Sequence, residues 1–291
     1  MKLCVLGPGE QSIGYTTKRL LEEGSKVFKH TDLVPILDVK LKIDKKIDAV
    51  IGKKSLSEYD YILPRIDSKR AEMGYLIMNF VDDMGVKKPY SASTILIAHN
   101  KFLTLEKLSM HGLKVPKTFL TGSKQSAKEI LRKEKLPVIL KLLSGFGGQG
   151  VMFMESKEAA ESAIETMKSL KQQILLEEYI KTPGEDIRGI VAGDEIIASY
   201  KRVAAAGEKK ANIHAGGRAA LFKLTGDMEE VVLKCGKAIS STIYAVDMLQ
   251  GNDGPEIIEV NINFGLGGIE KATNINVAQR IIEFVKGELK K

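Results

Sequence analysis

The 291-residue sequence predicts a mixed protein of the α/β and α+β classes. Short apolar runs first alternate with amphipathic segments, as in a parallel sheet covered by helices. Later in the chain, tight turn sequences separate neighbouring apolar runs, which is typical of antiparallel hairpins. An apolar fraction of 44% and a charged fraction of 28% are those of a globular protein. The length predicts about two or three domains.

The N-terminal segment carries the alternating pattern. Strands are predicted at 2–6, 47–51 and 61–63, and helices at 14–23 and 73–84. Because strands that alternate with helices form βαβ units, these three strands are expected to pair in one parallel sheet. Gly7-Pro8-Gly9 is favoured as an ordinary βα turn over a nucleotide loop. Arg65 follows a strand, so it is expected either to face a ligand crevice or to lie on the surface.

The middle of the chain predicts helices and a hairpin. Residues 88–90 are predicted as a linker, and 93–111 as one helix with Lys101 near its middle. Further helices are predicted at 127–135 and 159–170, and strands at 136–140, 151–154 and 174–180. The strand at 151–154 is expected to return antiparallel to the strand at 136–140.

The C-terminal part predicts two further hairpins. Strands are predicted at 186–191, 195–202, 245–249 and 256–261, and helices at 228–243 and 273–286. Gly193-Asp194 and 252–254 are the turn sequences between the paired strands. The glycine-bearing stretch 203–218 is predicted as a long loop, and long loops in compact domains are usually functional.

A glycine-rich loop follows the strand that ends at Lys141. Four glycines fall within six residues, at 145, 147, 148 and 150. Glycine lets the backbone approach a ligand closely, so such a loop can cradle phosphate oxygens beside the lysine. The loop lacks the Gly-Lys-Ser/Thr of a Walker A motif, and it also fails the dinucleotide fingerprint. A flexible hairpin turn with a lysine at its base is the alternative.

Three oxygen-bearing side chains lie on the last predicted hairpin. Asp247 is on one strand, and Glu259 and Asn261 are two residues apart on the other, so they share a face. Carboxylate and amide oxygens are the ligands that Mg²⁺ prefers. The alternative is a solvent-facing edge hairpin, which the apolar residues around these three side chains disfavour.

Composition excludes several classes of function. No window approaches the roughly 18 consecutive apolar residues of a membrane helix, and the N-terminus lacks a signal-peptide pattern. Cys4 and Cys235 are expected to be reduced core thiols, and the protein is expected to be cytoplasmic. The net charge of +7 is spread along the chain, so a nucleic-acid partner is not expected. The sequence shows no plausible Ser/His/Asp or Cys/His arrangement, so catalysis through a side-chain nucleophile is not expected.

Eight motifs in a fixed order resemble a known family. They are Lys101, Lys141 with 144–151, 177–180, 186–188, Lys201-Arg202, 212–217, Asp247 and 259–261. Together they are similar to the ATP-grasp ligases, in the branch of the ribosomal protein S6 glutamate ligase (RimK-like) and the coenzyme glutamate ligases. The resemblance runs from about residue 60 to the C-terminus. It implies an ATP-grasp fold behind an N-terminal pre-ATP-grasp domain, with domains at 1–90, 91–180 and 181–291.

The resemblance also implies roles for individual residues. ATP would be bound by Lys101, Lys141, Gly147, Gly148, Gly150, Glu177, Glu178, Tyr179, Ile180, Asp186, Lys210 and Ala211. Of these, Lys101 and Lys141 would contact the phosphates, residues 177–180 would form the adenine hinge, and Asp186 would bind the ribose. Arg202 and Asn212 would be catalytic and face the transferred phosphoryl group. Asp247, Glu259 and Asn261 would bind two Mg²⁺ ions, for which Mn²⁺ could substitute.

The implied reaction is ATP-dependent amide formation through an acylphosphate. Glutamate is the expected amino acid, and a protein tail or a coenzyme the expected acceptor; a homo-oligomer is also expected. Two alternatives stay open: a carrier-protein-dependent ligase of lysine or arginine biosynthesis, and a non-catalytic basic ribosome-associated protein. The chain departs from the branch at Lys210, where the branch has arginine, and at Asn263-Phe264, where it has a Ser-Pro-Gly-like turn. Both departures lie close to the expected binding site of the acceptor. The sequence therefore predicts the ATP site but does not identify the acceptor.

Overall fold

The computed structural model describes residues 1–143, 150–204 and 218–291. The strands are β1 (Lys2–Gly7), β2 (His30–Pro35), β3 (Lys40–Ile43), β4 (Ile47–Ile51), β5 (Lys54–Ser55), β6 (Tyr61–Pro64), β7 (Thr118–Thr121), β8 (Val138–Lys141), β9 (Val151–Met154), β10 (Ile174–Glu178), β11 (Glu185–Ala192), β12 (Glu195–Val203), β13 (Arg218–Leu221), β14 (Ile243–Gly251) and β15 (Gly254–Asn261). The helices are α1 (Tyr15–Val27), α2 (Ala71–Met84), α3 (Ala92–Ala98), α4 (Lys101–Met110), α5 (Lys124–Lys133), α6 (Lys157–Ser169), α7 (Gly226–Ile239), α8 (Gly267–Thr273) and α9 (Val277–Glu288). None of the helices in the described ranges has the length and apolarity to cross a bilayer.

The N-terminal sheet has β1 at its centre. Strands β2 and β6 both pair with it in parallel, which confirms the parallel sheet for the first and third predicted strands. The prediction for β4 is wrong, because β4 pairs antiparallel with β3 and β5 in a separate sheet. Gly52, at φ +60°, turns the chain directly from β4 into β5. A connection this short can join antiparallel strands but cannot make a parallel crossover.

The predicted helix over 93–111 is two helices, α3 and α4. The break falls at His99 and Asn100, where the Asn100 side chain caps α4 by accepting from the backbone N–H of Phe102 and Leu103 at 3.1 Å each. An asparagine in this role satisfies amide groups that would otherwise lack partners at a helix start. As a result Lys101 is the first residue of α4 and not a mid-helix residue.

The central sheet has its own small core. Its strands run in the order β7-β10-β8-β9 with antiparallel pairing throughout, and the predicted return of β9 on β8 is confirmed. Helices α5 and α6 pack on the sheet around Leu131, Leu140, Ile164 and Leu176. These apolar side chains form a cluster separate from the two larger cores, so this unit is held together by its own residues.

The C-terminal sheet is antiparallel in the order β13-β12-β11-β14-β15. Both predicted hairpins are confirmed, with a bulge at Ile258, because Asp247 pairs with Glu259 while Met248 pairs with Ile257. The predicted helix 228–243 ends four residues early, at Ile239, and the predicted helix 273–286 begins later, as α9.

Two apolar cores join the N-terminal and C-terminal sheets. One includes Leu6 and Ile62 from the first sheet with Val246 and Val260 from the last. The other joins the opposite face of the first sheet to α9 and to β11, β12 and β14. Cys4 and Cys235 are buried in the first core with free thiols, as predicted. The division at residues 90 and 180 stays a prediction.

Candidate active site

Six polar residues share one face of the C-terminal sheet. Side chains alternate along a strand, and residues paired across antiparallel strands point to the same side. Asp186 pairs with Arg202, Arg188 with Asp247, and Asp247 with Glu259. Asn261 follows Glu259 by two positions. The sheet register therefore brings together residues up to 75 positions apart in the chain (Asp186 to Asn261).

Asp247 is the centre of a buried network of ion pairs. Arg188 donates to both of its carboxylate oxygens, at 2.5 and 2.6 Å. Arg202 contacts Asp247 at 3.0 Å and donates through Nε to Asp186 at 2.5 Å. Paired bonds from a planar guanidinium fix its orientation as well as its position. The network thus holds both arginines rigidly on this face of the sheet.

The two carboxylates of this network have opposite pKa shifts. Burial raises the pKa of Asp247, but the charges of Arg188 and Arg202 outweigh it and lower the pKa from 3.8 to about 2. Burial dominates at Asp186, where Arg202 offsets it only in part and the charge of Asp247 adds to it, so the pKa rises from 3.8 to about 6. Asp186 is therefore the carboxylate with the weaker electrostatic support.

A second buried pair lies on the central sheet. Lys141 on β8 donates to the Glu177 carboxylate on the neighbouring strand β10, and both side chains are buried. The other carboxylate oxygen of Glu177 is buried and has no hydrogen-bond partner among the described residues. An unsatisfied buried acceptor costs roughly 1–3 kcal/mol. A hydrogen-bond donor from a ligand would remove that cost, which fits a nucleotide site.

Lys101 lies between these two groups. Burial lowers its pKa, the charges of Glu259 and Glu177 raise it, and that of Lys141 lowers it further. Its backbone N–H points to the Leu143 carbonyl at 3.5 Å, which links α4 to the end of β8. The structure therefore brings together the two lysines that the sequence predicted as phosphate contacts.

Residues 177–180, at the end of β10 and just after it, are the adenine hinge that the resemblance implies. The exposed Glu178 side chain accepts from the backbone N–H of Lys117 at 2.7 Å, so its carboxylate is engaged within the protein. The Tyr179 ring packs edge-on against Phe153 with centroids 4.9 Å apart. A part for Glu178, Tyr179 and Ile180 in adenine binding stays a prediction, and the engaged carboxylate of Glu178 favours its backbone for that part.

The predicted metal ligands fit a hard cation. Glu259 and Asn261 line a cavity of about 440 Å³ together with Lys101. Asp247 is opposite Glu259 on the neighbouring strand. Within the described ranges no three His, Cys, Asp or Glu side chains form a metal-binding cluster, so the set rests on two carboxylates and one amide. Oxygen donors of this kind suit Mg²⁺ when water and phosphate supply the remaining ligands.

Of the predicted residues of the two long loops, the structure describes only Gly150. Gly147, Gly148, Lys210, Ala211 and Asn212 lie outside the described residues. Gly150 has φ +75°, and a Cβ there would lie 2.7 Å from Leu142, so this position requires glycine.

Sequence reasoning missed the role of one arginine and left another open. Arg188 belongs to the motif at 186–188. Because it is two residues from Asp186 on one strand, its side chain should share the face of Asp186, and this spacing was the signal that could have placed it in the site. Arg65 is partly buried and donates to the Phe264 carbonyl at 3.0 Å, so it is not the surface arginine of the second expectation. Burial lowers its pKa to about 10.

Comparison with family models divides the chain into two matched parts. Residues 1–95 match the RimK PreATP-grasp domain, and residues 98–285 match the RimK-like ATP-grasp domain. A probable alpha-L-glutamate ligase of Shewanella loihica is 35% identical over 294 residues, covering 100% of this chain and 97% of the relative. A probable alpha-L-glutamate ligase 2 of Pseudoalteromonas atlantica is 34% identical over 288 residues, covering 98% and 95%.

Solved structures show the same fold. A RimK domain ATP-grasp protein of Sphaerobacter thermophilus superposes with a TM-score of 0.73 at 19% identity, covering 98% of this chain and 100% of that one. The ATP-grasp ligase PsnB, solved with a minimal precursor, Mg and ADP, gives a TM-score of 0.77 at 14% identity, covering 99% and 97%. The ATP-grasp fold with its N-terminal domain, predicted from the sequence, is confirmed.

Proposed function

Because this chain belongs to the RimK-like ATP-grasp family, we propose that it links L-glutamate to the carboxylate of a peptide or protein acceptor. The family makes it an ATP-dependent carboxylate–amine ligase. The choice of glutamate is supported by relatives named alpha-L-glutamate ligase at 34–35% identity over almost the whole chain. The choice of a peptide acceptor is supported by PsnB, a structural neighbour solved with a precursor.

The observation that carries the proposal is the shared polar face of the C-terminal sheet. It places two arginines, two aspartates, Glu259 and Asn261 together, with Lys101 and Lys141 nearby. Phosphoryl transfer is catalysed mainly by positioning and by neutralising charge on the transferred group. A face that alternates fixed cations with metal-binding oxygens is suited to that task.

The lysines and Glu177 would act on the nucleotide. We assign Lys101 and Lys141 to the phosphates, since both are cations at the junction of the central and C-terminal sheets. Glu177 holds the Lys141 ammonium in place and keeps one carboxylate oxygen available for a donor on the nucleotide. ATP supplies the phosphoryl group that activates the acceptor carboxylate.

The arginines and the oxygen ligands would act on the transferred group. Arg202, oriented by Asp186 and Asp247, would hold the phosphoryl oxygens, and Asn212 would face the same group. A fixed guanidinium contacts two such oxygens at once, which a lysine cannot do. Asp247, Glu259 and Asn261 would hold divalent metal, with Asp247 using lone pairs that the arginines leave unoccupied. We propose two ions, Mg²⁺ or Mn²⁺.

Two alternatives are not favoured by the comparisons. The relatives described above are named as glutamate ligases and not as carrier-protein ligases of lysine or arginine biosynthesis. A non-catalytic binding protein would not need the buried network around Asp247. A homo-oligomer and a cytoplasmic location stay predictions.

The test uses the purified full chain with ATP, Mg²⁺ and L-glutamate. Glutamate carries both an amine and carboxylates, so glutamate alone, the dipeptide Glu-Glu and longer peptides form a graded acceptor panel. We expect phosphate release that depends on glutamate, and mass spectrometry should show an acceptor extended by glutamyl residues. Phosphate release without a linked product, or equal use of unrelated amino acids, would overturn the proposal.

A further inference from the structure

The 440 Å³ cavity beside Glu259 has a second wall without an assigned role. One side is formed by Lys101, Glu259 and Asn261, which are the proposed phosphate and metal residues. The second wall is formed by residues 67–70, just before α2, and by His99. Small-molecule sites commonly have volumes of about 300–1,000 Å³. The cavity is thus large enough to hold a substrate next to the group that is being transferred.

Arg70 is held in a fixed position on that second wall. Asp67 accepts from the Arg70 backbone N–H at 3.0 Å through one carboxylate oxygen and from the Arg70 guanidinium through the other. The bond uses only Nη1, so the rest of the guanidinium fork has donors to spare. An arginine held at both ends in this way is oriented before a ligand arrives.

Lys69 adds a cation that has no carboxylate partner among the described residues. No ion pair to Lys69 exists among the described residues, whereas the Arg70 charge is matched by Asp67. His99 bonds through Nε2 to the Ile66 carbonyl at 3.1 Å, and burial lowers its pKa, with Lys101 lowering and Asp67 raising it. The second wall therefore carries about one unit of uncompensated positive charge, as a binding site for one carboxylate requires.

Asn263 offers an acceptor at the same cavity. Its side-chain carbonyl oxygen is buried and has no hydrogen-bond partner in the part of the chain that the structure describes. An amine N–H would satisfy it. The acceptor suits the amine that every amino acid carries, whereas the cations suit a further carboxylate on the side chain, which only an acidic amino acid carries.

We propose that Arg70, assisted by Lys69, binds the side-chain carboxylate of the incoming amino acid and so determines the preference for glutamate over neutral amino acids. This inference rests on the proposed function. It adds that a segment of the N-terminal domain selects the amino acid, while the two other sheets bind the nucleotide.

The experiment compares glutamate with glutamine, its neutral isostere, in wild type and variants. Arg70→Gln and Lys69→Gln remove the two cations, and Arg132→Gln removes an exposed cation on α5 as the matched control. A charged hydrogen bond contributes roughly 1.5–3 kcal/mol, so Arg70→Gln should raise the KM for glutamate about 10–100-fold. In Arg70→Gln, the kcat/KM for glutamate divided by the kcat/KM for glutamine should fall by a similar factor. In Lys69→Gln this ratio should fall less. The KM for ATP should not change.

Several results would overturn the inference. An unchanged glutamate-to-glutamine ratio would show that Arg70 does not contact the side-chain carboxylate. A rise only in the KM for the acceptor Glu-Glu would assign Arg70 to the acceptor instead. Arg70→Lys is the second variant: it keeps the charge and should recover part of the ratio, whereas a purely structural role would give no such recovery.

A binding measurement separates this inference from the proposed function. Calorimetric titration of wild type with glutamate and with glutamine, in the presence of ADP and Mg²⁺, needs no turnover. If wild type fails to release phosphate with glutamate but binds it better than glutamine, and Arg70→Gln abolishes the difference, only the proposed function fails. If wild type binds both equally, the inference fails whatever the turnover.

Discussion

The two buried charge groups of this protein differ in how fully they are satisfied. Both oxygens of Asp247 are bonded to arginines on the C-terminal sheet, whose two faces pack into large cores shared with the N-terminal sheet. On the central sheet, Glu177 bonds Lys141 through one oxygen and leaves the other without a partner among the described residues. The central sheet also packs around a small core of its own.

This difference indicates a division of tasks. A satisfied network on a strongly supported sheet is preorganised, so its cations need not move when charge develops on a reacting group. A pair with an orphaned acceptor is completed by a ligand. We therefore assign the chemistry to the C-terminal sheet and nucleotide binding to the junction with the central sheet. The following predictions test that assignment, from the largest expected effect to the smallest.

The largest effect is expected for Asp247→Asn. The change leaves Arg188 and Arg202 buried with less compensating charge, and breaking a buried ion pair typically costs about 3–5 kcal/mol. Urea denaturation should show a loss of that order in the free energy of unfolding, together with loss of turnover. Asp194→Asn, at an exposed hairpin turn, is the matched control and should change stability little. Equal stability of the two variants would mean that the network around Asp247 is not a structural support.

Arg202→Ala is expected to reduce the rate and leave nucleotide binding almost intact. Asp247 keeps its bidentate bond to Arg188 in this variant, so the fold loses less than in Asp247→Asn. Removing one preorganised donor to a developing charge costs roughly 3–4 kcal/mol, or about 10²–10³ in kcat. Arg202→Lys should restore little, because lysine lacks the planar fork.

The measurement for Arg202 pairs ATP affinity by titration with phosphate release. If affinity falls by the same factor as the rate, Arg202 is a ground-state ligand of ATP. If neither changes, Arg202 has no part in the reaction.

Glu259→Gln is expected to reduce turnover with little change in stability. The substitution removes one negative charge and almost no volume, and Glu259 is only partly buried. Weaker metal binding should cost about 2–3 kcal/mol of transition-state stabilisation, or roughly 10²-fold in rate. Raising the Mg²⁺ concentration should recover part of the rate, which a purely structural defect would not allow. Near-native phosphate release at low Mg²⁺ would remove Glu259 from the metal site.

The sequence predicted that Asp247, Glu259 and Asn261 share a face of the last hairpin. It did not predict which residues of β11 and β12 lie on the same face. Strand alternation placed Glu259 and Asn261 together, because the period of a strand depends only on local positions. The pairing of Arg188 with Asp247 depends on the register between β11 and β14. These strands are separated by 50 residues (Ala192 to Ile243), which include β12, β13 and α7. The wall at Asp67–Arg70 was missed for the same reason, since tertiary packing alone brings it to the same cavity as β15. The β4 and α3–α4 errors were local: a glycine turn and an asparagine cap were overlooked.

The smallest effect expected is a pH dependence of stability that arises from Asp186. Its pKa is raised from 3.8 to about 6 in the folded state, chiefly by burial. The folded protein therefore binds a proton at Asp186 that the unfolded chain has released between these two values. The stabilising contribution of this residue is fully present below about pH 3.8 and is lost as the pH rises through about 6. Asp247 stays ionised in the folded protein over this range, because the two arginines lower its pKa to about 2.

Asp186→Asn isolates this contribution. The unfolding free energy of wild type minus that of the variant should fall by about 1–3 kcal/mol between roughly pH 4 and pH 7, since each unit of pKa shift corresponds to about 1.4 kcal/mol. Taking the difference cancels the titration of groups that do not interact with Asp186, and Asp194→Asn, treated in the same way, should give a flat line. Urea denaturation at half-unit pH steps, without nucleotide or metal, makes the measurement. A flat difference for Asp186→Asn would mean that Arg202 keeps Asp186 ionised throughout this range. The two aspartates of the network would then both stay ionised, and the arginines would stabilise Asp186 as they stabilise Asp247.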